Sequence, residues 1–121
     1  MNGTNQYIPR KGDIVLINFN PSAGRKIQKY RPALVVSNQK YARLTKLALV
    51  CPITHTANNR MTALGLLIKI KTPKVDGYIN PLQFHTFDYV RRDMRQVGAV
   101  DKQILDQTLQ VINDVVNANE V

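Results

Sequence analysis

The segment DIVLINFN, Asp13 to Asn20, is β-branched and aromatic, is entered through Gly12 and closes on NPSAG, which predicts a strand. ALVVSN (33–38), KLALVCPI (46–53) and GLLIKIK (65–71) read the same way. KTPKVDG carries Pro and Asp-Gly turn signals and leads into YINPLQF. Beyond FHTFDYVRRD, the segment MRQVGAV (94–100) predicts a last strand. About six strands at such short spacing are the pattern of a small barrel or sandwich.

The period changes at Asp101, a good helix N-cap. From there Ile104, Leu105, Thr108, Leu109, Val111, Ile112, Val115 and Val116 follow a helical stripe, with Lys102, Gln103, Gln107 and Asn113 on the polar side. The pattern therefore predicts a mainly β domain with one C-terminal amphipathic helix packed on it. At 121 residues, with no repeat or linker composition, the chain is expected to be one domain spanning 1–121, with roughly the first eight residues and the last few flexible.

Charge adds a partner class. Seventeen Lys and Arg against eight Asp and Glu give +9, and basic domains of this kind meet nucleic acid, acidic proteins or anionic surfaces. The single cysteine, Cys51, lies in the apolar run LALVCPI, where a buried inert thiol is expected and no intramolecular disulfide can form. The start MNGTNQYIPRKGD has no apolar targeting core and no run approaches a membrane span, so a cytoplasmic protein without membrane contact is expected.

Two loops carry the candidate chemistry. In NPSAGRKIQKYRP, Arg25, Lys26, Lys29 and Arg31 surround Tyr30, a mix of cations for phosphate and a ring for stacking an unpaired base. A solvated loop explains that composition as well. Arg31 stands apart, because Pro32 forces the preceding residue to be extended and belongs at a strand start or edge, which fixes Arg31 at the rim of a sheet. In CPITHTANNR, Pro52 punctuates another strand, and Thr54, His55, Thr56, Asn58, Asn59 and Arg60 follow with groups suited to phosphate or base edges. If the two strands are antiparallel neighbours, Arg31 and Thr54 are expected near opposite ends of them, so that only loops or curling would bring them together.

The ordered pieces GDIV, PSAG, RPALVVS and CPIT, with LQFHTFDYVRR beyond them, resemble the MazF/PemK family of toxin endoribonucleases. The resemblance implies an SH3-like barrel with a C-terminal helix and a homodimer. It also implies metal-independent, sequence-specific cleavage of single-stranded RNA without a cofactor, and restraint by a cognate antitoxin with an acidic, partly disordered tail, through which alone operator DNA is met. It places the catalytic pair of the MazF branch on Arg31 and Thr54. The cations, ring and amides of these segments make Lys26, Lys29, Tyr30, Asn58, Asn59, Arg60 and Gln83 the expected RNA contacts. The PemK branch uses a histidine, an arginine and an aspartate, and this chain has Arg25, Asn80 and Leu82 at those positions.

Cleavage through the 2′-hydroxyl needs a proton acceptor, stabilisation of the five-coordinate phosphorus and a proton for the 5′-oxygen. Arg31 and Thr54 suit the second task, since a guanidinium fork binds phosphate oxygens but is a poor base. His55 and His85 are the side chains of a type that titrates near neutrality, with His55 favoured for standing beside Thr54 and Asp88 or water as alternatives. A non-catalytic module binding nucleic acid or an acidic protein is the competing reading. Two histidines and one cysteine without ligand-like spacing do not suggest a metal site.

Overall fold

The computed structural model describes residues 7–19, 29–56 and 59–121. In chain order they form β1 (Asp13–Asn18), β2 (Tyr30–Val35), α1 (Gln39–Thr45), β3 (Leu47–Thr54), α2 (Asn59–Ala63), β4 (Ile68–Lys71) and β5 (Asp76–Ile79). A 3-10 turn (Pro81–Gln83), β6 (His85–Asp88), β7 (Arg95–Ala99) and α3 (Lys102–Asn117) complete them. The seven strands make one curled sheet in the order β4-β5-β3-β2-β1-β7, with β6 also on β3, and every pairing is antiparallel. The mainly β expectation, with a C-terminal helix, is met.

β3 organises the sheet. Its first half pairs with β6, from Leu47 opposite Asp88 to Val50 opposite His85. Its last residues pair with β5, Ile53 opposite Ile79 and Thr54 opposite Tyr78. Its other edge takes β2. Because side chains alternate across a strand, the apolar runs supply two cores. Ile14, Leu34, Cys51, Ile53 and Ile79 face one side, closed by Ile104, Leu109 and Ile112 of α3. Val15, Ile17, Ala33, Val35, Ala48 and Val50 face the other, with Ala42 of α1, Tyr89 and Met94.

The expected helix starts where its cap predicts, the Asp101 carboxylate accepting from the Ile104 amide at 2.9 Å. Other boundaries differ for local reasons. β2 begins at Tyr30 instead of Ala33, so Arg31 and Pro32 lie inside it. The Phe19 amide bonds Lys29 and the Val36 amide bonds Leu49. By that alternation the nitrogen of Pro32 faces β3 beyond the last rung, Ala33 opposite Pro52, where no ladder donor is needed. α1 and α2 are additions to the sequence reading. In α1, Asn38 ends no strand; its side chain accepts from the Tyr41 amide at 2.9 Å and Lys46 closes the helix at φ 62°. YINPLQF is not one strand, because the Asn80 side chain caps a 3-10 turn opened by Pro81.

Cys51 is wholly buried and burial pushes its thiol up to about 12. Iodoacetamide at mildly alkaline pH should therefore leave the folded protein unmodified and label it only once denaturant is added, as read by intact mass. Rapid labelling of the native protein would contradict this packing. Among the described residues, no helix is long and apolar enough to cross a membrane.

Candidate active site

β2 and β3 pair as Val35 with Val50, Leu34 with Cys51 and Ala33 with Pro52. The ladder stops there, and Arg31, two residues before Ala33, and Thr54, two residues after Pro52, lie beyond its last rung at the same end of the pair. The expectation that the two residues lie at opposite ends is thus reversed: in an antiparallel pair the start of one strand adjoins the end of the other. Alternation also gives them one face, since Arg31 shares its side of β2 with Ala33 and Thr54 shares its side of β3 with Pro52.

That face opens into a cavity of about 420 Å³ lined by Phe19, Ala33, Val50, Pro52, Gln83, Phe84, His85 and Phe87. The curled sheet brings together rings from distant segments. Phe19 and Phe87 have centroids 5.7 Å apart, and His85 meets Phe87 edge-on at 4.5 Å. The Arg31 guanidinium lies 5.6 Å from the Phe19 centroid and the Arg92 guanidinium 5.0 Å from that of Phe87. Arg31 is exposed and, among the described residues, forms no ion pair with a carboxylate. A cation held against a ring and free of anions is ready for an external one. Thr54 is half-buried, and its hydroxyl donates to the Thr56 carbonyl at 3.1 Å, so the group is present and oriented by a weak local bond.

The two histidines separate. His85 lines the cavity, whereas His55 is exposed in the bend after β3. The groove therefore contains His85 and not the favoured His55. The Asp88 carboxylate accepts from the Val90 and Arg91 amides at 3.0 and 2.9 Å and serves the turn after β6. Of the residues expected to meet RNA, Gln83 is exposed on the cavity wall, Lys29 is exposed just before β2, and Asn59 and Arg60 are exposed at the start of α2. Arg25, Lys26 and Asn58 lie outside the described residues. Tyr30 is turned to other work: its hydroxyl donates to Asp93 at 2.6 Å and its ring lies 5.1 Å from the Arg95 guanidinium. Sequence reasoning passed over Phe19, Phe87, Arg92 and Asp93. The alternation of His85 and Phe87 on one strand was the available signal.

A curled antiparallel sheet with a cation over an aromatic-lined cavity at one strand end defines a small β protein whose open face has the chemistry to meet an anionic, ring-bearing ligand. Residues 10–116 match the family described as "PemK-like, MazF-like toxin of type II toxin-antitoxin system", and the chain belongs to that family. It is 31% identical over 108 residues to the endoribonuclease toxin ChpB of Escherichia coli, covering 88% of this chain and 92% of ChpB. It is 29% identical over 101 residues to the Escherichia coli endoribonuclease PemK, covering 82% and 75%. A MazE–MazF structure from Deinococcus radiodurans superposes with a TM-score of 0.80 at 24% identity, covering 94% of this chain and 100% of that chain.

Proposed function

We propose that this toxin is an endoribonuclease that cuts single-stranded RNA at a phosphate gripped by Arg31 and Thr54, in the cytoplasm and without a metal cofactor. The observation that supports the reading is the Arg31 guanidinium 5.6 Å from the ring of Phe19 on the cavity wall, at the end of the antiparallel β2–β3 pair where β3 also ends in Thr54. The 2′-oxygen attacks phosphorus as its proton leaves, the bond to the 5′-oxygen breaks, and that oxygen takes a proton from solvent, leaving a 2′,3′-cyclic phosphate. Arg31 stays charged throughout and matches the phosphate oxygens with its fork, while Thr54 donates one more hydrogen bond. His85 is the groove side chain of a type that exchanges protons near neutrality, and we assign it the proton from the 2′-hydroxyl. The rings of Phe19 and Phe87 suit an unpaired base, which favours single strands.

The working unit in this reading is a homodimer. A net charge of +9 suits an antitoxin with an acidic tail, which would compete with RNA for the same cations. The test is cleavage of a labelled single-stranded RNA in EDTA, with the ends analysed for cyclic phosphate. Thr54→Val should slow cleavage about ten- to a hundred-fold, the worth of one hydrogen bond to a charged group. RNA binding without any cutting would favour the non-catalytic alternative, and an unslowed Thr54→Val would remove Thr54 from the site.

A further inference from the structure

The turn between β6 and β7 grips both strand ends that flank Arg31. On the β1 side, the Arg92 carbonyl accepts from the Asn18 amide at 2.9 Å, and Arg92 Nη1 donates to the Phe19 carbonyl at 3.1 Å. On the β2 side, Asp93 Oδ2 accepts from Tyr30 Oη at 2.6 Å and from Arg95 Nε and Nη2 at 3.1 and 2.6 Å. The Arg95 guanidinium also stacks on the Tyr30 ring. Between the two grips, the Phe19 amide bonds the Lys29 carbonyl at 2.8 Å. Tyr30 and Arg31 are neighbours on an extended strand and project to opposite faces, so fixing one fixes the direction of the other.

From this geometry we infer that Asp93 and Tyr30 are positioning residues, which clamp the start of β2 so that Arg31 enters the groove over Phe19. The inference rests on the assignment of Arg31 to the phosphate. Stability is a poor explanation of the cluster, because the Asp93–Arg95 pair is about half exposed, with side-chain exposures of 48% and 63%, and such pairs contribute little. Asp93 adopts φ 48°, a left-handed conformation that asparagine also tolerates, so Asp93→Asn changes charge with the backbone kept. Arg95 foremost, and then Tyr30, hold the Asp93 carboxyl below the usual range, and Asp93 raises the Tyr30 hydroxyl. The sign follows for both. The Asp93 contribution is complete above the ordinary carboxylate pKa and is lost only as pH falls through its lowered folded value. That of Tyr30 is complete below the ordinary phenol pKa and is lost only as pH rises through its raised one. The clamp is therefore set across roughly pH 5 to 9.

Full-length Tyr30→Phe and Asp93→Asn, assayed on a short single-stranded RNA that the parent cuts, test this. Tyr30→Phe keeps the ring and loses the clamp, and should lower kcat about ten- to a hundred-fold, as expected for a misaligned catalytic group. KM should stay within about two-fold and the melting temperature within about 2 °C of the parent. Asp93→Asn should move in the same direction, and both losses should be constant across that pH range. In an Arg31→Ala background, Tyr30→Phe should cost nothing more. A parental kcat in Tyr30→Phe overturns the inference, as does a loss confined to KM, which would make Tyr30 an RNA contact, or a full further loss in the Arg31→Ala background. If Arg31→Ala itself cuts like the parent, the phosphate assignment fails first and the clamp has nothing to position.

Discussion

Arg31→Ala should leave a folded protein whose RNA cleavage falls by about 10² to 10³ or more, the usual effect of removing one donor to a developing phosphoryl charge. The residue is exposed and forms no ion pair with a carboxylate among the described residues, so its loss neither opens a cavity nor strands a partner charge. Its melting temperature should therefore match the parent within about 2 °C. What disappears is the cation over Phe19, just beyond the point where the ladder from Val35 and Val50 runs out at Ala33 and Pro52. Arg31→Lys should recover only part of the activity, because an ammonium supplies charge without the planar fork that matches two phosphate oxygens. The measurement is the single-turnover rate on labelled RNA in EDTA beside a thermal melt. A rate within ten-fold of the parent would remove Arg31 from the transition state.

The two halves of this site were legible to different degrees. The sequence marks Arg31 and Thr54 separately, since Pro32 and Pro52 each fix a strand-end conformation beside an apolar run. It does not mark that they lie at the same end of two paired strands. Register is a property of the paired strands, and a shift of one residue would have turned one partner to the other face. Most of the strands and α3 were readable because β-branched runs and an N-cap with a helical stripe are local signals, whereas β6, four residues of mixed polarity in HTFD, carries no such run. α1 escaped because its seven residues begin only four positions after the end of β2 and depend on Asn38 and Lys46 as caps. The groove and the clamp escaped for a further reason. Phe19 meets Phe87 and Tyr30 meets Asp93, 63 residues away, only after the sheet has curled. Arg31 is thus chosen locally and aimed by residues that no local pattern connects to it.

Gly77→Ala should damage stability and cleavage together, although it alters no group that touches RNA. Gly77 is buried in β5, facing the end of β3, where Thr54 pairs with Tyr78 and Ile53 with Ile79. A Cβ built on it would lie 2.4 Å from the Thr54 carbonyl oxygen and 3.2 Å from Ile53 Cγ2. The first of these is far inside van der Waals contact with backbone, so β5 or the end of β3 must move. Forcing a methyl into such a site costs about 1–3 kcal/mol, which lowers the melting temperature by several degrees in a chain of this size. The displaced atoms belong to Thr54, and a shift of about 1 Å in a catalytic group can cost 10²-fold in rate. Gly65→Ala separates this from a general intolerance of side chains. Gly65 has φ 73° but nothing within 4 Å of its would-be Cβ, and it lies in the turn between α2 and β4. That variant should bear only backbone strain of about 1 kcal/mol and cut RNA at the parental rate. If Gly77→Ala instead melts with the parent and cuts as fast, the close approach of β5 is not what holds Thr54 at the end of β3 in place.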